Sequence, residues 1–233
     1  MEDTLTDPPE ERDEMVSTQN GVADRAVFED DLPRTVETIA GVDQAFADDV
    51  AVSAAVVLRD GETVETTTAR RETRVPYIPG LLAFREGEAV VASLRELETT
   101  PDVVLVDGSG RIHPRQAGLA THVGVALDVP TVGVAKSLLC GEPRRSVERL
   151  NENKRVPIVA DGGIDAPNET TVGYAVQTKQ YAPDASTSVN PLYVSPGHRV
   201  SAETAVGIVE DACDGYKLPE PVRRADALAD NAK

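Results

Sequence analysis

Three acidic side chains stand where an ordinary surface acid would not. Asp43 lies inside the apolar run TIAGVDQAF, Asp107 ends the run VVLVD, and Glu86 begins a helical stretch beside the Gly-containing loop YIPG. A buried carboxylate costs on the order of several kcal/mol unless it is paired or bound to a metal. If the strands of Asp43 and Asp107 are neighbours, their carboxylates converge at one edge of a sheet, and each raises the other's pKa unless a cation sits among them. Oxygen ligands without thiolates favour Mg²⁺ or Mn²⁺ over zinc. An ion held in that way suits the in-line displacement of a phosphoryl group. Each acid also has an ordinary reading. Asp107 before glycine suits a turn or helix cap, and Glu86 suits the first turn of a helix. Asp43, preceded by Gly41 and Val42, has fewer such explanations.

The stretch VPYIPG sets Tyr77 between Pro76 and Pro79, on a loop with little conformational freedom. A stiff aromatic of this kind can enter a base stack and hold strands apart. A half-buried structural tyrosine fits the same residues.

The pattern of the chain supplies elements to position these groups. Residues 1 to about 20 are acidic, contain Pro8-Pro9 and read as a frayed tail, with a short helix before Pro33. Thr38–Phe46 reads as a strand, and residues 51–70 as a hairpin turning at Asp60-Gly61, giving three successive antiparallel strands. Val90, Val91, Leu94 and Leu97 recur at helical spacing after Phe84. The run ending at Asp107 is a fourth strand, and Pro114 suits the first turn of a helix reaching about Leu127. TVGVAKS is a short buried strand, and further strands are expected near Thr171–Thr178 and Pro191–Ser195. Ser201 caps a helix that stops at Gly215. The expectation is a mixed α/β sheet with helices on its faces, organised as an acidic tail and short helix over 1–33 and a single domain over 34–233.

Forty acids against 23 bases leave a net charge of −17, and 18 of the bases are arginine. Surfaces this acidic and lysine-poor resemble those of salt-loving archaea. Residues 1–33 hold eleven acids and two bases, whereas 70–155 hold thirteen bases and eleven acids, so the middle of the chain is slightly basic within an acidic protein. Cys140 and Cys213 are too few for a disulfide framework or a zinc site. With no basic-plus-apolar leader and no long apolar span, the expected setting is cytoplasmic, without a membrane partner, and a monomer is the working expectation.

Taken together, GVDQAF, YIPGLLAFRE, VDGSGRIHPRQAGLATHVGVALDVPTVGVAKSLL and GHRVS…GYKLPEPVRRAD resemble, in order, the motifs of endonuclease V, the deoxyinosine-directed repair nucleases. The resemblance spans about Ile39 to Ala229. It implies a ribonuclease-H-like mixed sheet and a Mg²⁺-dependent phosphodiester hydrolase, with Mn²⁺ as a substitute. Such an enzyme cuts damaged DNA at the second phosphodiester bond 3′ to hypoxanthine, leaving 3′-hydroxyl and 5′-phosphate ends. Inosine in RNA is the alternative substrate. By motif, Asp43, Glu86 and Asp107 correspond to the metal-binding acids, and His198 and Lys136 complete the catalytic group. His113 corresponds to a phosphate contact, Tyr77 with Pro76, Ile78 and Pro79 to a strand-separating wedge, and Gly80, Leu82, Gly108 and Leu139 to the base pocket. Physically, Lys136 is a compact cation suited to a phosphate oxygen, and His198 could orient water or shuttle a proton. For His113, His198 and His122, a structurally satisfied histidine is the ordinary reading. An ATP-handling phosphotransferase built around VDGSG would need a second nucleotide-binding domain, which 233 residues scarcely hold.

Overall fold

The structure, a computed structural model, describes residues 8–181 and 187–233. The start of the acidic tail and the middle of the loop from Tyr181 to Asn190 lie outside the described residues. Helix α1 (Arg12–Ala23) precedes a meander of β1 (Thr38–Ala47), β2 (Val50–Arg59) and β3 (Glu62–Glu72). These three strands pair antiparallel, as the alternation predicts. At the β2–β3 turn, Asp60 and Gly61 take φ of 52° and 78°, the left-handed pair whose twist matches that of the strands it joins.

Helix α2 (Leu82–Arg95) leads to β4 (Val103–Asp107), and α3 (Leu119–Leu127) leads to β5 (Thr131–Ala135). Both strands run parallel to β1. The remaining strands are β6 (Glu142–Pro143), β7 (Lys154–Val159), β8 (Thr171–Gln177) and β9 (Leu192–His198), followed by α4 (Ala202–Asp211) and α5 (Glu220–Ala232). Among the described residues the nine strands form one sheet, in the order β3-β2-β1-β4-β5-β9-β8-β7-β6. No described helix is long and apolar enough to cross a membrane.

Alternation along the central strands builds two cores. Val104 and Val106 of β4 join Ala40 and Val42 of β1 against Val90, Val91 and Leu94 of α2 and Val123 of α3. Val103 and Leu105 face the other way, onto Val206 and Val209 of α4 and Val222 of α5. Strands buried on both faces read as continuous apolar runs, which is why VVLV precedes Asp107.

Four expectations change. The helix expected from Pro114 begins instead at Leu119, because Gln116 takes φ of 53° and interrupts any helical turn there. The stretch read as a frayed tail contains α1, which buries Met15, Gln19 and Val22 at helical spacing. The helix capped by Ser201, whose hydroxyl accepts from the Thr204 N–H, ends at Asp211 rather than Gly215. Finally, β7 and α5 were not anticipated at all.

Helix α5 lies close on β1. A β-carbon added at Gly41 would run into the Pro221 backbone, so only glycine permits this approach. Gly41→Ala should therefore destabilise the fold by about 3 kcal/mol, read as a lowered urea midpoint in molar KCl. An unchanged midpoint would contradict the packing.

Candidate active site

The parallel register places the acids. Ile39 to Val42 pair with Val103 to Val106, so Asp43 and Asp107 follow as the next rung on adjacent strands, on the face that carries α5. Beside them, Val134 of β5 pairs with Asp107, and Lys136 lies two residues beyond. Its Nζ donates to Asp107 Oδ2 at 2.6 Å and lies 4.0 Å from Asp43 Oδ2. Glu86 enters from α2, on the opposite face. It is linked to β1 by Gln44, whose Nε2 donates to Glu86 Oε2 at 2.6 Å.

These groups are electrostatically unsettled. Asp43 is 4% exposed, and burial together with the Asp107 carboxylate pushes its pKa up to about 8, against the pull of Lys136. Burial, then Asp107, pushes Glu86 up to about 7. Asp43 Oδ1 accepts from the Gln44 N–H at 2.7 Å, but Oδ2 is buried without a hydrogen-bond partner among the described residues, as is Gln44 Oε1. Lys136, by contrast, has its pKa raised by Asp107, Asp43 and Asp226, which outweigh its own partial burial. As the described side chains stand, no three acidic, histidine or cysteine residues converge into a complete metal shell. Asp43 and Asp107 share Lys136 as their nearby cation.

Next to this cluster is a cavity of about 320 Å³. Asp43, Glu86, Asp107 and Lys136 line one side, and Gly80, Leu82, Gly108 and Leu139 line it as well. Tyr77, Ile78 and Pro79 form part of its wall, and Tyr77 is 69% exposed. The exposed Pro76 does not line the cavity.

Two histidines do not take their expected places. His198 ends β9, which runs antiparallel to β5, and it pairs with Thr131 at the start of that strand. Lys136 lies just past the other end, about 15 Å away at strand spacing. The His198 ring accepts from the Val27 N–H through Nδ1 and meets Asp128 through Nε2, so it ties the N-terminal segment to the sheet and is not part of the catalytic group. His113 borders the cavity but is 3% exposed, and burial pushes its pKa down to about 4. Its Nδ1 accepts from the Arg115 N–H, and its Nε2 donates to the Gly80 carbonyl. A neutral ring with both nitrogens engaged by backbone is not the expected phosphate contact. His122 is a core residue, packed edge-on to Phe84 at 5.3 Å.

Conversely, three residues were passed over. Asp226 on α5 lies near enough to act on Lys136, and Gln44 bridges two of the acids. Gln19 reaches the cavity from α1. Two signals were available. Gln19 is a polar residue within the Met15–Val22 stripe, and Asp226 flanks the Val222–Ala225–Ala229 stripe.

The family model for endonuclease V matches residues 20–227. The endonuclease V of Haloarcula marismortui is 54% identical over 98% of this chain and 95% of its own length. Among solved structures, the endonuclease V of Streptomyces avermitilis superposes with a TM-score of 0.83 at 34% identity, over 97% of this chain and 95% of that one. The Ciona intestinalis endonuclease V, in complex with a 24mer DNA containing an inosine followed by a ribo-adenosine, gives a TM-score of 0.76 at 29% identity, over 94% of this chain and 96% of that one. The mixed sheet flanked by helices is thus the ribonuclease-H-like fold that the motifs imply. The chain belongs to the endonuclease V family, the metal-dependent endonucleases directed at deoxyinosine in DNA.

Proposed function

We propose that this chain hydrolyses DNA at deoxyinosine, cutting the second phosphodiester bond 3′ to hypoxanthine and leaving 3′-hydroxyl and 5′-phosphate ends. The observation that carries this reading is Asp43 Oδ2, a buried carboxylate oxygen without a hydrogen-bond partner among the described residues, beside the cavity it shares with Glu86, Asp107 and Lys136.

An oxygen donor left unmet in this way suits a hard divalent cation, Mg²⁺ with Mn²⁺ as a substitute. Asp43, Asp107 and Glu86 would hold it. Mg²⁺ keeps waters and substrate phosphate oxygens in its shell, so it does not require a complete cage of side chains. When bound, such an ion neutralises charge on a phosphate oxygen and acidifies water.

The chain's own residues do the rest. Asp107 orients Lys136, whose ammonium stabilises negative charge as a water oxygen bonds to phosphorus and the bond to the 3′ oxygen breaks. Against the cost of its partial burial, Asp107, then Asp43 and Asp226, hold that ammonium in its charged form. Tyr77 enters the stack, and a weakly paired hypoxanthine is easier to extrude than a sound base. Gly80, Leu82, Gly108 and Leu139 receive the flat ring in a cavity of the size common to small-ligand sites.

Mapping the cut on a 5′-labelled inosine oligonucleotide with Mg²⁺ should place it at the second phosphodiester 3′ to the lesion. Asp107→Ala or excess EDTA should lower the rate at least about a hundredfold. A cut elsewhere, or nicking that survives EDTA, would overturn the reading, and faster cleavage of the matched RNA would redirect it to inosine RNA. At about 1 M salt the Debye length is roughly 3 Å, so the −17 charge should matter little, and nicking should persist from low to molar KCl. Activity confined to low salt would remove that argument.

Stability should also respond to pH. In the cation-free protein Asp43 and Glu86 bind protons more tightly when folded than when unfolded. Their contribution is therefore fully present below about pH 4 and is lost as pH rises toward 7 and 8. With EDTA present, Asp43→Asn should raise the melting temperature at pH 8 and leave it nearly unchanged at pH 4. Equal effects at both pH values would refute the assignment.

A further inference from the structure

We propose that Gln19 is a positioning residue for lesion recognition: with His113 and Arg115 it clamps the Gly80 carbonyl and so fixes the Tyr77 loop against the cavity wall. The inference rests on the reading of that loop and cavity given above.

Residues Ile78 to Leu81 make a tight turn, closed by the Leu81 N–H donating to the Ile78 carbonyl at 3.0 Å. Proline in the second place and glycine in the third, at φ of 80°, define a type II turn. The carbonyl leaving this turn, that of Gly80, accepts from Gln19 Nε2 at 2.8 Å, His113 Nε2 at 3.0 Å and Arg115 Nη2 at 3.4 Å. A carbonyl oxygen has two lone pairs, so the oxygen is fully occupied.

The donors also hold one another. Arg115 Nε donates to Gln19 Oε1 at 2.6 Å, and the Arg115 N–H donates to His113 Nδ1 at 3.2 Å. Gln19 is 1% exposed and spends both ends of its carboxamide on this circuit. Met15, one helical turn earlier, packs with Val75, Leu81, Phe84 and the partly buried Ile78. Helix α1 therefore grips the loop through one apolar and one polar contact.

A wedge parts bases only if its own backbone does not yield. Tyr77 sits three residues before the clamped carbonyl, with its ring exposed. A single strand needs no parting, so a slack clamp should penalise duplex substrates selectively.

Gln19→Glu keeps the side-chain length and the acceptor for Arg115 but cannot donate to Gly80, and Gln19→Leu removes both bonds. Each would be compared with wild type on inosine opposite thymine in a duplex and on the same strand alone. Hydrogen exchange at the Leu81 amide of the DNA-free protein provides a readout independent of activity. For both variants the Leu81 amide should exchange about tenfold faster, and duplex kcat/KM should fall about tenfold. Single-strand cleavage should fall by less than about threefold, with the melting temperature close to wild type. Should either variant fail to fold, Arg115→Lys opens the same circuit and is read in the same way. Unchanged exchange at Leu81, or equal losses on duplex and single strand, would overturn the proposal. If wild type cuts neither substrate, the functional reading fails, and the exchange measurement alone decides the clamp.

Discussion

Carboxylates placed on one rung of adjacent buried strands repel each other, and this fold holds two of them there without enough positive charge to settle both. Lys136 bonds to Asp107 and reaches Asp43 only at 4.0 Å, so one oxygen of Asp43 is left facing its neighbours. Apolar burial on both faces of β1 and β4 holds the rung in place despite the repulsion. Such an unmet demand for positive charge beside a cavity is what the proposed cation would meet. Small residues serve the same end. Gly41 lets α5 approach β1 closely, which brings Asp226 within electrostatic range of Lys136.

Recognition and chemistry share the same wall. Helix α2 begins at the end of the Tyr77 loop and carries Glu86 one turn later, so Tyr77, Gly80 and an acid that all line the cavity are separated by a few residues of backbone. Gln44 ties Glu86 back to β1, and the Gly80 carbonyl is held from α1 and from the loop after β4. The loop and the acids are thereby fixed relative to one another, which under the proposed function is what cutting at a set distance from a damaged base requires.

The acids on strands were legible because an ionisable residue interrupts an apolar run, a contrast that local sequence carries in full. The hairpin was legible from Asp60-Gly61 for the same reason. What sequence could not supply was direction. His198 closes a conspicuous motif, but β9 runs against β5 and carries it to the wrong end of the sheet. The helix expected from Pro114 failed on a single backbone angle at Gln116, which residue preference does not reveal. Asp226 was overlooked because α5, rich in Arg, Asp and Ala, reads as a solvated helix. Gln19 was overlooked because the acidic composition around it outweighed a three-residue buried stripe.

The abundance of arginine in so acidic a chain has a physical counterpart in its contacts. Phe28, Phe46, Tyr174 and Tyr216 each lie beneath a guanidinium, those of Arg111, Arg85, Arg155 and Arg223, at 4.5 to 5.6 Å. Half of the eight phenylalanines and tyrosines are used in this way. Exposed ion pairs such as Arg199 with Asp31 weaken as salt rises, whereas a planar cation stacked on a ring also contributes contact that screening does not remove. The same preference for contact over distance extends to the nucleic acid. A surface of net charge −17 offers DNA little long-range attraction, so under the proposed function affinity would come from groups that touch it: the exposed Tyr77, the cavity beside it, and Lys136 among acids that a bound cation would reconcile.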